Sequence, residues 1–100
     1  MASFPGRGHV YDLAVVGAGI SGSEAALAAA AGGLDVLLVT TSLDSLYMLA
    51  HAAYPLDPPP ETLMARLLPE LAAPGGQVDR WELHRAAKYR LEAQPGLHLL

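Results

Sequence analysis

The feature that most constrains the fold of this chain is a glycine-rich turn between two short apolar runs. The turn has the spacing G-x-G-x-x-G and is formed by Gly17, Gly19 and Gly22. The apolar runs predict strands at about 12–16 and 35–40, because such runs are typical of strands buried on both faces of a parallel sheet. The alanine-rich segment 20–31 predicts a helix that ends at the next two glycines. Residues 11–40 therefore predict a β-α-β unit.

The middle of the chain predicts shorter and less regular helices. Residues 42–54 predict one or two helical turns, with Ser42 or Asp44 as the N-cap. A proline-rich stretch then predicts a stiff loop. Residues 61–73 have leucines at helical spacing, but Pro69 is expected to break or kink that helix.

A longer helix and a third strand are predicted at the end of the chain. Residues 78–93 predict a helix, because Asp79 begins a capping-box pattern. Trp81 and Tyr89 are expected to be packing residues of this helix. Residues 97–100 predict a strand. The whole pattern predicts an α/β fold of Rossmann-like type, with an incomplete three-stranded parallel sheet and flanking helices.

Composition places the chain among globular proteins. It is 52% apolar and only 16% charged over 100 residues, so we expect further chain, a partner or a cofactor to cover part of its surface. Residues 1–10 predict a flexible leader, and residues 11–100 predict the N-terminal part of a Rossmann-like domain. The sequence shows no signal peptide and no apolar run long enough to span a membrane, which favours a cytoplasmic location.

Neither the net charge nor the metal-ligating residues of the chain indicate a nucleic-acid site or a metal site. The net charge of −4 gives no electrostatic footprint for nucleic acid. The basic residues of this region are interleaved with Glu82 and Glu92 and are expected to form a solvated helix face; they are Arg80, Arg85, Lys88 and Arg90. The chain has no cysteine, and its four histidines lack the spacing of a zinc site. We therefore predict no metal, and we name no catalytic residue.

The glycine spacing has a chemical explanation, because each position requires the absence of a side chain. The first glycine allows a tight turn, the second lets a pyrophosphate approach the backbone, and the third lets the helix pack closely on the strand. The helix N-terminus offers free N–H groups to phosphates. The strand–helix–strand context favours this FAD/NAD(P)-binding interpretation over an incidental glycine-rich helix start. The predicted cofactor-binding residues are Gly17, Ala18, Gly19, Ile20, Ser21, Gly22, Thr40 and Thr41.

The end of the second predicted strand lacks the acidic residue with which NAD sites of this fold bind the ribose. Thr40 and Thr41 stand there instead, and a hydroxyl cannot replace a bidentate carboxylate. This weakens the case for NAD and leaves FAD open, with Thr40 near the adenosine ribose. Glu24, in the first turn of the helix, is expected to complement the helix dipole, with a ribose or loop contact as the alternative. Asp44 is expected to be a helix cap.

Residues 11–46 resemble the N-terminus of the glucose-inhibited division protein A family, known as GidA or MnmG. That family has a Tyr-Asp strand, the same glycine loop followed by Glu-Ala-Ala, and a threonine-ended second strand followed by Leu-Asp. The matching positions after the loop are Glu24, Ala25, Ala26, Thr40, Leu43 and Asp44. Residues 77–100 resemble the family's next helix and strand, at Asp79, Arg85, Leu91, Glu92, Gln94, Pro95 and Leu97.

The resemblance implies an FAD-dependent protein linked to modification of the wobble uridine of tRNA. The segment between the two matching stretches lacks the family's cysteine-containing motif, which makes the chain more similar to small GidA-related proteins. The folate- and flavin-dependent tRNA uracil methyltransferases share the glycine loop and are a further possibility. Later strands and the tRNA-contacting helical region are missing, so we do not expect activity from these 100 residues alone.

Three functional hypotheses stay open. The chain is the FAD-binding portion of a GidA-like flavoprotein, a non-catalytic nucleotide-binding module, or an inactive truncated remnant. FAD is the predicted ligand. A tRNA or protein partner follows from the resemblance alone.

Overall fold

A computed structural model describes residues 8–48, 58–74 and 78–100 of the chain. Parts of the predicted leader, of the proline-rich loop and of the turn before the last helix lie outside these residues. The elements are β1 (Leu13–Val16), α1 (Ile20–Ala31), β2 (Val36–Val39), a 3-10 turn (Leu43–Ser45), α2 (Leu63–Leu71), α3 (Arg80–Ala93) and β3 (Leu97–Leu99). Each predicted strand and the two helices at 20–31 and 78–93 are therefore present.

The three strands form one parallel sheet in the order β1-β2-β3. Val36 of β2 is aligned with Leu13 of β1 and with Leu97 of β3. All three strands therefore end at the same edge of the sheet. This arrangement confirms the predicted Rossmann-like α/β fold with a three-stranded parallel sheet.

The core lies between one face of the sheet and the helices α1 and α3. Alternate residues of β2 point to this face, and α1 contacts β2 and β3 while α3 contacts β3. Burial of these apolar side chains is the main force that holds the layers together. The buried side chains of the two layers include Ala26, Val36, Leu38, Leu83, Ala87, Leu91 and Leu97.

The expectation that β1 is buried on both faces is wrong for this chain. Leu13 is 39% exposed and Val16 is 83% exposed. Within the described residues β1 pairs only with β2, so it forms an edge of the sheet. Val16 is aligned with Val39, on the face opposite to that covered by α1 and α3. The apolar run therefore predicted the strand but not its environment.

Of the break or kink expected at Pro69, the break does not occur. It lies inside α2, which continues to Leu71. A proline within a helix removes one hydrogen bond to the carbonyl four residues earlier. This loss falls close to the end of α2, and the helix is held by packing, since it contacts α3 and buries Leu63, Met64 and Leu67.

The start of α3 is capped as predicted, but its aromatic residues are not where they were expected. One carboxylate oxygen of Asp79 accepts from the backbone amides of Trp81 at 2.8 Å and Glu82 at 3.2 Å. Trp81 is 51% exposed and Tyr89 is 72% exposed. The buried face of α3 is formed instead by Leu83, His84, Ala87 and Leu91. The two aromatic rings therefore lie toward solvent.

Glu24 joins α1 to α2, a role that neither sequence interpretation anticipated. Its carboxylate accepts from the backbone amides of Leu63 and Met64, both at 3.0 Å, and from the hydroxyl of Tyr47 at 2.5 Å. These amides belong to the first turn of α2 and have no partner within that helix. Glu24 therefore caps α2 from a distance, and Thr62 completes the cap by accepting from another amide.

We predict that Glu24→Gln lowers the free energy of unfolding by about 1–3 kcal/mol. The amide that replaces the carboxylate has only one acceptor atom, so at least one buried donor loses its partner. Urea unfolding followed by circular dichroism measures the change. Glu61→Gln, at an exposed position, is the matched control. Equal midpoints for the two variants would contradict the capping role of Glu24.

Candidate functional site

A cleft of about 390 Å³ opens at the edge of the sheet where β1 and β2 end. This edge is where open parallel α/β sheets bind their ligands. None of the described residues in the lining is charged, so none of them repels an anionic ligand. The lining residues are Val16, Gly17, Ala18, Gly19, Val39, Thr40, Thr41 and Ser45.

The structure brings together most of the residues that the sequence predicted for this site. Five of them line the cleft, namely Gly17, Ala18, Gly19, Thr40 and Thr41. Ile20, Ser21 and Gly22 lie beside it in the first turn of α1. Ser45 was not predicted. Its only sequence signal is its position in the turn that follows β2.

The three glycines of the loop differ in whether the fold requires them. Gly17 has a φ of +103°, a conformation that residues with a side chain rarely adopt. A Cβ atom at Gly22 would lie 1.9 Å from the carbonyl oxygen of Gly17. Gly19 has a φ of −66°, and a Cβ atom there would meet nothing within 4 Å. The fold therefore explains the first and third glycines but not the second.

The N-terminus of α1 lacks the side-chain cap that the other two α-helices of the described chain possess. Among the residues that the structure describes, no side chain accepts from the amides that follow Gly19, and the first turn of α1 contains no acidic residue. Thr62 and Asp79, in contrast, cap α2 and α3. The free amides and the helix dipole at the start of α1 thus remain available to an anion in the cleft.

The turn after β2 is shaped by hydroxyl groups. The Thr40 hydroxyl donates to the Ser42 carbonyl at 3.2 Å and accepts from the Ser42 amide at 3.3 Å. The Ser42 hydroxyl accepts from the Asp44 amide at 3.2 Å. Ser42 is therefore the cap of the 3-10 turn, and Asp44 is not. Thr41, next to this turn, is exposed.

Tyr47 fixes this turn against the glycine loop. Its side chain is fully buried, its φ is +58°, and its amide donates to the Ala18 carbonyl at 2.9 Å. The His84 Nδ1–H donates to the neighbouring Leu46 carbonyl at 2.5 Å. Burial and the hydrogen bond to Glu24 raise the pKa of Tyr47 well above its ordinary value. No periodic pattern in the sequence marked this residue.

Histidines meet an acidic residue at the opposite edge of the sheet. Asp35 contacts Nε2 of His9, and its other carboxylate oxygen lies 3.8 Å from Nδ1 of His98.

In the parts of the chain that the structure describes, no group of three or more histidine or acidic residues is arranged to hold a metal ion. Among the same residues, no helix is both long and apolar enough to cross a membrane.

We predict that Gly22→Ala lowers the free energy of unfolding by about 3 kcal/mol or more, because the new methyl group overlaps a backbone carbonyl that cannot rotate away. Gly32→Ala is the control. Gly32 follows the same helix, and its φ of −80° suits alanine, while a Cβ there meets only atoms at 3.5 Å. Urea unfolding compares the two. Similar stabilities would show that α1 does not lie this close to the loop.

We predict that the protein loses stability above about pH 10 through Tyr47. The unfolded tyrosine titrates near its ordinary value of 10.0, whereas the native pKa is raised, so the unfolded chain releases the proton first. The contribution of Tyr47 to the free energy of unfolding is fully present below pH 10 and falls as the pH rises further. Urea unfolding at a series of pH values from about 8 upward measures how the free energy of unfolding changes with pH. Tyr47→Phe should reduce this dependence, and Tyr89→Phe, at an exposed position, should not. Identical slopes would contradict the burial of the Tyr47 hydroxyl.

Comparison with known proteins identifies related sequences. The model of the glucose inhibited division protein A family matches residues 12–52. The tRNA uridine 5-carboxymethylaminomethyl modification enzyme MnmG of Chlamydia caviae is 32% identical over an alignment that covers 90% of this chain and 19% of that enzyme. The MnmG of Alkaliphilus oremlandii is also 32% identical, with 94% of this chain and 19% of that enzyme covered.

A solved structure shares the fold. The crystal structure of the GidA-related protein from Thermus thermophilus matches with a TM-score of 0.74 and 38% identity. The match covers 90% of this chain and 37% of that protein. The chain thus spans less than half of the solved relative and 19% of the length of the MnmG enzymes.

Proposed function

We propose, from the premise that this chain belongs to the GidA family and corresponds to part of its N-terminal region, that the glycine loop holds FAD. The family is FAD-dependent in general. The chemistry of the cleft is compatible with this cofactor, because the lining is uncharged and the adjoining helix N-terminus favours a diphosphate.

The observation that carries the proposal is the open space at Gly19. The chain itself gives no steric reason for a glycine there, since an added Cβ meets nothing within 4 Å. A cofactor diphosphate that approaches the backbone supplies the reason. In this proposal the backbone of Gly17, Gly19 and Ile20 binds the phosphates, and Ala18, Ser21 and Gly22 support the loop.

The end of β2 would hold the adenosine ribose through neutral hydroxyl groups. Thr40 already exchanges two hydrogen bonds with Ser42, so its hydroxyl serves mainly to shape the turn. Thr41 and Ser45 also line the cleft and are the better placed donors. Because no carboxylate stands in this lining, the site favours FAD over NAD, whose ribose is usually bound by an acid.

Bound FAD would accept or donate an electron pair. The residues described above would bind and orient its adenosine diphosphate half. By relationship to the MnmG enzymes, we further propose that the chain serves tRNA uridine modification in the cytoplasm. The tRNA substrate is inferred from the activity of those relatives, which are tRNA uridine modification enzymes. No residue of this chain is assigned to contact it.

A nucleotide-binding module without catalysis is the second candidate. One observation favours it, namely that the lining residues which the structure describes all come from one β-α-β unit and the turn that follows. Such a unit recognises the adenosine diphosphate half of a ligand and needs no flavin contact. Equal affinity for ADP and FAD would support the module, and a marked preference for FAD would support the flavoprotein.

We predict that Gly19→Ala weakens FAD binding by about 10- to 100-fold, because its methyl group occupies the path of the diphosphate. The fold should persist, with a stability loss of about 1 kcal/mol from the poorer N-cap. A titration followed by flavin fluorescence measures the affinity, and circular dichroism checks the fold. Gly32→Ala should bind as the unaltered protein does. A Gly19→Ala variant with unchanged affinity would contradict the proposed site.

A further inference from the structure

We infer that Ser23 and Tyr47 are positioning residues that orient the backbone amide of Gly19 toward the ligand's diphosphate. This inference rests on the proposed function of the glycine loop. Neither side chain lines the cleft, and both are fully buried. They act through the carbonyl group of Ala18, which belongs to the same peptide unit as the Gly19 amide.

Two donors hold the Ala18 carbonyl. The Tyr47 amide donates to it at 2.9 Å, and the Ser23 hydroxyl donates to it at 3.2 Å. One donor alone would let the peptide plane tilt about the donor–acceptor line, within the limits set by the neighbouring backbone torsions. Two donors from different segments, one in α1 and one after the 3-10 turn, restrict that rotation.

The planarity of the peptide bond carries this restriction to Gly19. In a trans peptide the N–H bond points opposite to the C=O bond of the same unit, and no peptide bond of the described chain is cis. The Ala18 carbonyl points toward the buried Ser23 and Tyr47. The Gly19 amide therefore points away from them, toward the exposed side of the loop that lines the cleft.

Ser23 fixes the following peptide unit as well. Its backbone amide donates to the Gly19 carbonyl at 3.0 Å, which is the first hydrogen bond of α1. By the same planarity, the Ile20 amide then points out of the helix at its N-terminus. Ser23 thus orients two consecutive backbone amides. Its hydroxyl acts on the Gly19 amide, and its own N–H acts on the Ile20 amide. Alanine at position 23 would keep the second of these contacts and lose the first.

The Tyr47 backbone, whose amide donates to the Ala18 carbonyl, is held in an unfavourable conformation. A φ of +58° is uncommon for a residue with a large side chain. Such a conformation persists where the surroundings over-determine it. Here the Glu24 carboxylate holds the Tyr47 hydroxyl, and His84 holds the carbonyl of the preceding Leu46. The contacts of Glu24 with α2 thereby also support the loop.

The test combines hydrogen exchange in the free protein with FAD titration of variants. In the free protein, NMR exchange should show a protected Tyr47 amide and a rapidly exchanging Gly19 amide. Ser23→Ala should speed exchange of the Tyr47 amide and weaken FAD binding about 3- to 10-fold. Tyr47→Phe, which keeps the amide but loses the contact with Glu24, should act in the same direction.

Asp79→Ala is the control for a merely structural effect. It removes the cap of α3, far along the chain from the loop, and should lower stability without changing FAD affinity by more than about twofold. Rescue of affinity by Ser23→Thr, which restores a hydroxyl, would add support where that variant folds.

The outcomes separate this inference from the proposed function. Tight FAD binding by Ser23→Ala and Tyr47→Phe, equal to that of the unaltered protein, would overturn the positioning role and leave the site intact. A protected Gly19 amide or an unprotected Tyr47 amide in the free protein would overturn it whatever the affinities are. If the exchange pattern is as expected but the unaltered protein binds no FAD, the proposed function fails and the positioning role fails with it.

Discussion

The structure depends on one close approach, that of the first turn of α1 to the end of β1. A Cβ at Gly22 would lie 1.9 Å from the carbonyl of Gly17, so only glycine lets the helix lie this near. The approach sets α1 against the sheet and brings its uncapped N-terminus to the cleft. Glu24, farther along the same helix, then holds α2 and Tyr47 through its carboxylate. Fold and candidate site thus depend on the same element.

The three glycines separate what the fold requires from what a ligand would require. Gly17 and Gly22 are needed by the chain, because one has a positive φ and the other faces a backbone oxygen. Gly19 meets neither condition. The described chain therefore gives no steric reason for a glycine at this position. Together with the uncharged lining that the described residues form, this is the physical basis for proposing a diphosphate ligand in the cleft. Similarity to the GidA family, which is FAD-dependent in general, is the reason for proposing FAD.

Local patterns predicted much of this structure, and long-range contacts account for the rest. The strands, α1, α3 and the cap at Asp79 follow from apolar runs, alanine content and capping residues that act over a few positions. The role of Glu24 could not be predicted, because its partners on α2 lie about 40 residues away. The left-handed backbone conformation of Tyr47 also depends on groups far along the chain, since Glu24 is 23 residues away and His84 holds the carbonyl of the preceding Leu46. Burial of β1 was overestimated because an apolar run does not say which neighbours a strand has.

The most direct test of the account is an amide NMR map of the full chain with two ligands, FAD and riboflavin. Riboflavin carries the flavin ring but lacks the diphosphate and the adenosine. The account predicts that FAD shifts the amide signals of Gly17, Gly19, Ile20 and Thr41 most strongly and that riboflavin leaves them unchanged. Shifts of similar size with both ligands, or FAD shifts confined to residues away from the cleft, would show that the glycine loop does not hold a diphosphate.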